Sequence, residues 1–196
     1  MVDGCEGGMN KKKILIINIC KETLHYYEFV KPVEDIVKST GEKYIVKHYT
    51  KINSQDLKKT HAVIICGTSL QDNDFMNHVH YFSWLKNFDG AVLGICGGMQ
   101  IMGVVFGGKG LLQKKTEIGY YGEKFVKNFL GLLGEMKVYH LHNYYVDFSL
   151  LDDFEIFAGK NIAQAVKHRW KKIYGALFHP EVRNKEVIKN FIKTFL

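Results

Sequence analysis

The chain of 196 residues is poor in several things. It has two prolines, two tryptophans and only two arginines, Arg169 and Arg183, and its four cysteines, Cys5, Cys20, Cys66 and Cys96, include no Cys-x-x-Cys pair. So sparse and unpaired a cysteine set excludes a disulfide scaffold and a zinc ribbon, and implies a reducing, cytoplasmic setting. The formal net charge of +7 rests on lysines scattered along the chain. That pattern reads as a solvated surface rather than a nucleic-acid footprint, so no nucleic-acid partner is expected. No apolar run approaches the ~20 residues of a membrane span, and no membrane partner is expected either. Lys11-Lys12-Lys13 followed by Ile14-Leu15-Ile16-Ile17 has the outline of a secretory start, but the apolar run stops at Asn18 with Lys21 and Glu22 close behind. It is better read as a first strand. Missing too are the Gly-x-x-x-x-Gly-Lys-Ser/Thr and Ser-Gly-Gly-x-Asp-Ser loops that cradle nucleotide phosphates, so the chain shows no means of its own to activate an acceptor with ATP.

What is present alternates between strand and helix patterns. Residues 1–10, rich in glycine and polar groups, read as a flexible leader with Met9 a possible natural start, and 11–196 as one domain. Strand patterns at Ile14–Ile19, Tyr44–Tyr49 and Ala62–Cys66, and the run Ala91-Val92-Leu93, are separated by helical patterns at Tyr27–Ser39, Ser54–Lys58 and Asp74–Lys86. This predicts an α/β fold with a mostly parallel central sheet and helices on both faces. Short alternating runs at Lys124–Lys127, Lys137–Leu141, Tyr144–Phe148, Glu155–Ala158 and Ile162–Lys167 predict a small antiparallel strand region. Ile173–Phe178 returns to the main sheet, and Lys185–Phe195 closes the chain as an amphipathic helix.

Chemistry concentrates in two places. Gly94-Ile95-Cys96-Gly97-Gly98-Met99-Gln100 lies between apolar runs and reads as strand, sharp turn, helix. A side chain at such an apex is exposed at the carboxyl edge of a sheet, and the free amides of the following helix favour a thiolate. A buried structural cysteine among turn glycines is the plainer alternative, and it weakens once Phe178-His179-Pro180-Glu181 is added. Here a histidine and a carboxylate sit at the end of a late strand, pointing the same way as alternate residues of an extended segment. His140, His78 and His80 show no consistent metal-ligand spacing and read as structural or exposed, so no metal is expected.

With both motifs present, the sequence resembles the class I (triad) glutamine amidotransferases from about Lys11 to the C-terminus. The resemblance implies that Cys96 is the nucleophile, His179 the general base and acid, and Glu181 the group that orients His179. It implies that Gln100 helps to hold the substrate L-glutamine. Gly97 and Gly67, the latter in a Gly67-Thr68 loop where many relatives carry two adjacent glycines, would supply oxyanion NH groups. His142 would line the glutamine pocket facing a partner, and Glu117-Ile118-Gly119 resembles the family's Glu-x-Gly segment. The implied activity is hydrolysis of glutamine to glutamate and ammonia without a cofactor, the ammonia passing to an ATP-dependent synthetase subunit. Gly98-Met99-Gln100 is similar to the glutaminase subunits of two-subunit GMP synthases. Those usually carry tyrosine where Gly97 stands and Ser-His-Gly-Asp where this chain has His142-Asn143-Tyr144. Two alternatives stay open: a γ-glutamyl hydrolase with the same triad and no partner, and a non-catalytic binding or regulatory subunit, against which the intact triad counts. Cys66 and Cys96 are expected to approach one another at one sheet edge.

Overall fold

The isoleucine-rich run after Lys13 forms β1 (Lys13–Asn18), buried along most of its length because the sheet is covered on both sides. The computed structural model describes residues 13–195; the expected leader, Met9 and Cys5 lie outside them. Around β1 are arranged β2 (Tyr44–His48), β3 (Thr60–Ile65), β4 (Ala91–Ile95), β5 (Leu112–Phe129), β6 (Leu132–Val146), β7 (Phe154–Ala158), β8 (Ala165–His168) and β9 (Ile173–Ala176). They make one sheet in the order β2-β1-β3-β4-β9-β8-β7-β5-β6.

From β2 to β9 all neighbours are parallel, and from β9 to β6 all are antiparallel. The sheet is therefore mixed in equal measure, not mostly parallel. Nor is the antiparallel part small: β5 and β6, 18 and 15 residues long, are its longest strands. Three short expected runs belong to this one hairpin. The pattern hid it because both faces of β5 are largely exposed, so its sequence carries lysines and glutamates where a core-facing strand would alternate. The hairpin closes through Leu130 and Gly131, both at positive φ, the backbone a two-residue turn between paired Phe129 and Leu132 requires.

Helices α1 (Lys31–Ser39) and α4 (Glu186–Phe195) cover one face and α3 (Gly97–Gly107) the other, with α2 (Ser54–Lys58) a short capped turn. Strand alternation sorts the core accordingly. Ile14, Ile16, Ala62, Ile64 and Leu93 pack with Val33, Val37, Val187 and Phe191, while Leu15, Ile17, Val63, Ile65 and Val92 pack with Met99, Ile101 and Met102. Pro32 sits in the first turn of α1, where its missing N–H costs nothing. The preceding turn, Tyr26–Val30, is a π-helix.

The helix expected at Asp74–Lys86 is present in a tighter form. Asp74–Asn87 is 3-10 rather than α, broken at His78 (φ −118°, ψ 21°). Asn, His, Val and aromatic residues fill this stretch, all weak α-formers, and the three-residue spacing of Phe82 and Leu85 suits the 3-10 repeat that buries both.

Candidate active site

Four parallel strands end at the same edge of the sheet and deliver Cys20, Gly67, Cys96 and His179 there, following β1, β3, β4 and β9. Cys96 stands alone between β4 and α3 with φ 48° and ψ −103°, a conformation L-residues rarely adopt. Two backbone bonds hold it: its N–H donates to the Ala176 carbonyl (2.7 Å), and its carbonyl accepts from Gln100 N (3.0 Å). The elbow also needs room beside it. A methyl group on Gly98 would overlap the Ile65 carbonyl oxygen, so strand and helix can approach this closely only through glycine.

His179 and Glu181 are both buried, and Nδ1 of His179 lies 2.6 Å from Oε1 of Glu181. The backbone N–H of His179 donates to the Tyr139 carbonyl (2.8 Å), and its ring packs on Phe29 from the π-turn, centroids 5.6 Å apart. Burial opposes charge on this imidazole, but the Glu181 carboxylate and the Cys96 sulfur outweigh it and hold the His179 pKa well above its usual range. Its other nitrogen, Nε2, is buried with no geometrically good hydrogen bond among the described residues. Gly67 is pressed against the pair: a methyl there would come within 2.7 Å of His179 Cε1 and 3.2 Å of Cys96 Cβ.

The cleft beside Cys96 is lined by Thr68, Leu70, Asp72, Gly97, Gln100, His142 and Asn143, among others, and has an open volume of only ≈ 10 Å³, about one water. Gln100 is buried and donates from Nε2 to the Tyr144 carbonyl (2.7 Å), tying α3 to β6. The Cys96 sulfur faces the Leu141 carbonyl at 3.5 Å. Sequence reasoning missed Asp72, and named Thr68 and Asn143 only as members of motifs, with no contact assigned to either. Asp72 Oδ2 accepts from Lys21 N and from Thr68 Oγ1, each at 2.7 Å, and Asn143 Nδ2 donates to the Leu70 carbonyl (2.9 Å). No spacing signals these contacts, because they join loops that only the fold brings together.

Cys20, Cys66 and Cys96 are all free thiols. Burial pushes the Cys66 thiol well above its ordinary pKa, with the charges of Glu181 and Cys20 adding to the effect. Burial likewise raises Cys20 to about 11, against a hydrogen bond from Thr68. Such thiols stay protonated and unreactive.

His140 and His142, read as a structural residue and a pocket residue, have a closer neighbour than the cleft. Both rings are buried, and His140 Nδ1 and His142 Nε2 each lie 3.1 Å from Oε2 of Glu117. Burial lowers the pKa of both, His142 to about 4, although Glu117 pulls the other way.

Known proteins resemble this chain. A family model described as glutamine amidotransferase class-I matches residues 24–196. A glutamine-hydrolysing GMP synthase subunit of Methanobrevibacter smithii is 34% identical over 119 residues, 55% of this chain and 61% of that protein. The corresponding subunit from Methanosphaera stadtmanae is 39% identical over 121 residues, 56% and 63% of the two chains. The chain thus spans about three-fifths of the length of these curated relatives. Among solved structures, a chain described as a GMP synthase subunit from Thermoplasma acidophilum superimposes with a TM-score of 0.80 at 21% identity, covering 93% of both chains. A glutamine amidotransferase of Thermotoga maritima gives 0.66 at 20% identity, covering 94% of this chain and 82% of its own. At those identities the structures speak for the fold, whereas the family model spans both the Cys96 elbow and the His179–Glu181 pair, and by it the chain belongs to the class-I glutamine amidotransferases.

Proposed function

We propose that this chain is a glutaminase in which Cys96, His179 and Glu181 act as a triad, and that it hands ammonia to an ATP-dependent synthetase subunit in the cytoplasm. The observation that carries the reading is the strained Cys96 at the head of α3 beside a buried histidine whose far nitrogen is 2.6 Å from a buried carboxylate. The sulfur, its proton passed to His179 Nε2, attacks the carboxamide carbon of glutamine. Backbone NH groups at Gly97 and in the Gly67 loop receive the negative oxygen, where one such donor is worth on the order of 3 kcal/mol of barrier. His179 returns its proton to the departing nitrogen, releasing ammonia and leaving a thioester. Water, deprotonated by the same imidazole, then cleaves the thioester to glutamate and the free thiol, and acid–base assistance of this kind contributes ~10² to 10⁴ in rate. Gln100 and His142, both on the wall of the cleft, would flank the bound glutamine.

GMP synthase is the proposed assembly, supported by the names of the relatives and by Gly98-Met99-Gln100. The narrow cleft supports dependence on a partner, since glutamine needs far more room than ≈ 10 Å³. A glutamine-mimicking electrophile is expected to label the protein once, at Cys96, and to leave Cys96→Ala unlabelled. Steady-state assays should show slow glutamine hydrolysis by the isolated chain and no faster cleavage of γ-glutamyl peptides. Labelling that persists in Cys96→Ala would refute the triad. Rapid peptide cleavage without a partner would instead establish a γ-glutamyl hydrolase.

A further inference from the structure

Strand alternation puts His140 and His142 on one face of β6, and the hairpin register places Glu117 of β5 directly opposite His142. One donor atom from each of the three lies within 4.8 Å of the other two, and the carboxylate oxygen is 3.1 Å from each imidazole nitrogen. A tetrahedral zinc ion, with ligand bonds of ~2.0–2.1 Å, spaces its ligand atoms about 3.4 Å apart. The three donors therefore need only a small side-chain adjustment to close around an ion.

Hydrogen-bond accounting favours an ion over a purely structural cluster. Without one, both imidazoles and the Gln164 amide donate to the same oxygen of Glu117, the last at 3.1 Å. A neutral imidazole has a single N–H. Spending it on Glu117 leaves His140 Nε2 and His142 Nδ1 as acceptors, and neither buried atom has a geometrically good hydrogen bond among the described residues. Outside these rings, Glu123 Oε1 lies 3.5 Å from His140 Nε2, its carboxyl pushed up to about 7 by burial, and the Lys115 backbone favours a proton on His142. A cation in place of the shared protons reverses the problem. His140 Nδ1 and His142 Nε2 then coordinate as lone pairs, and the outer N–H groups point at Glu123 and Lys115. A carboxylate or carbonyl behind each ligand histidine is the usual support of a protein metal site.

We propose that Glu117, His140 and His142 form a binding site for a divalent transition-metal ion of the zinc class. Two imidazoles and one carboxylate suit zinc, cobalt or nickel and disfavour magnesium and calcium, which take oxygen ligands. Of the three ligands Glu117 also lines a cavity with Lys114, Lys115, Lys160 and Glu123, from which water or a small anion would complete the shell. Leu141, whose carbonyl faces the Cys96 sulfur, lies between the two histidines. The ion would thus clamp the β6 wall of the catalytic cleft, with His142 common to the ion site and the wall.

Tag-free, chelator-stripped full-length protein should bind one Co²⁺ per chain, with visible d–d absorption and no sulfur-to-cobalt charge-transfer band. Zn²⁺ should displace the cobalt, and Mg²⁺ or Ca²⁺ should not. His140→Gln, checked for folding by circular dichroism, should weaken Co²⁺ binding at least about tenfold. Absence of stoichiometric binding, a thiolate band revealing cysteine ligation, or undiminished affinity in folded His140→Gln would each overturn the site. If that variant does not fold, the wild-type stoichiometry and spectrum decide the question alone. None of these readouts depends on glutaminase activity.

Discussion

A cysteine at φ 48° is held there by its neighbours, not by its own preference. Backbone conformations of this kind cost of order 1–3 kcal/mol for a residue with a side chain. The sheet bond to Ala176 and the close strand–helix approach at Gly98 oppose relaxation. Cys96→Gly and Cys96→Ala both remove the sulfur, and only alanine retains the strain. Glycine at this position is therefore expected to give the more stable protein by about 1 kcal/mol in urea unfolding, the reverse of the usual order in a regular element. Equal stability, or alanine ahead, would mean the elbow is not strained. The same residue was legible in the sequence because everything that marks it is local: flanking glycines, an apolar run on either side, and a His-Pro-Glu that needs no register to be read. His140 was not legible in this way. Its relation to Glu117 spans 23 residues and exists only through the pairing of two strands.

At the scale of elements, the strands that carry the chemistry announced themselves because they are buried on both faces and read as unbroken apolar runs. The β5–β6 hairpin, exposed on much of both faces, was seen only in fragments. Yet that hairpin forms one wall of the cleft. Asn143 on β6 accepts from Thr116 Oγ1 (2.9 Å) and donates to the Leu70 carbonyl (2.9 Å), so a single amide fastens the loop after β3 to the hairpin across the mouth above Cys96. In the proposed glutaminase this contact would narrow the way of glutamine to the sulfur. Asn143→Ala should cost about 1 kcal/mol of stability, the ordinary worth of a hydrogen bond, and should raise the rate of Cys96 labelling in the isolated chain several-fold. Unchanged or slower labelling would show that the amide does not act as a latch.

For the molecule as a whole, the question is what opens the cleft during turnover. A surface next to the triad has the character of a docking site. Ile118 and Tyr120, alternate residues on one face of β5, are more than half exposed, and Val182, one residue beyond Glu181, is nearly as exposed. Tyr139 packs edge-on against Tyr120 with ring centroids 5.1 Å apart, and Lys137 and Arg183 lie over the Tyr120 ring. Aromatic and arginine side chains at the centre of an apolar patch are what binding hot spots are made of. The patch is also wired to the active site, because the Tyr139 carbonyl accepts from the backbone N–H of His179 (2.8 Å). In the assembly proposed above, a partner pressing on this face would shift His179 and the β6 wall together and so couple association to glutamine hydrolysis. Ile118→Asp places an unpaired charge at the centre of such an interface while disturbing little of the isolated fold. With the synthetase subunit that co-purifies from the native cell, this variant should keep the basal glutaminase rate of the free chain and lose most of the partner-induced stimulation. Full stimulation of Ile118→Asp would move the docking face elsewhere, and equal loss of basal and stimulated rates would show that the residue supports the fold rather than the interface.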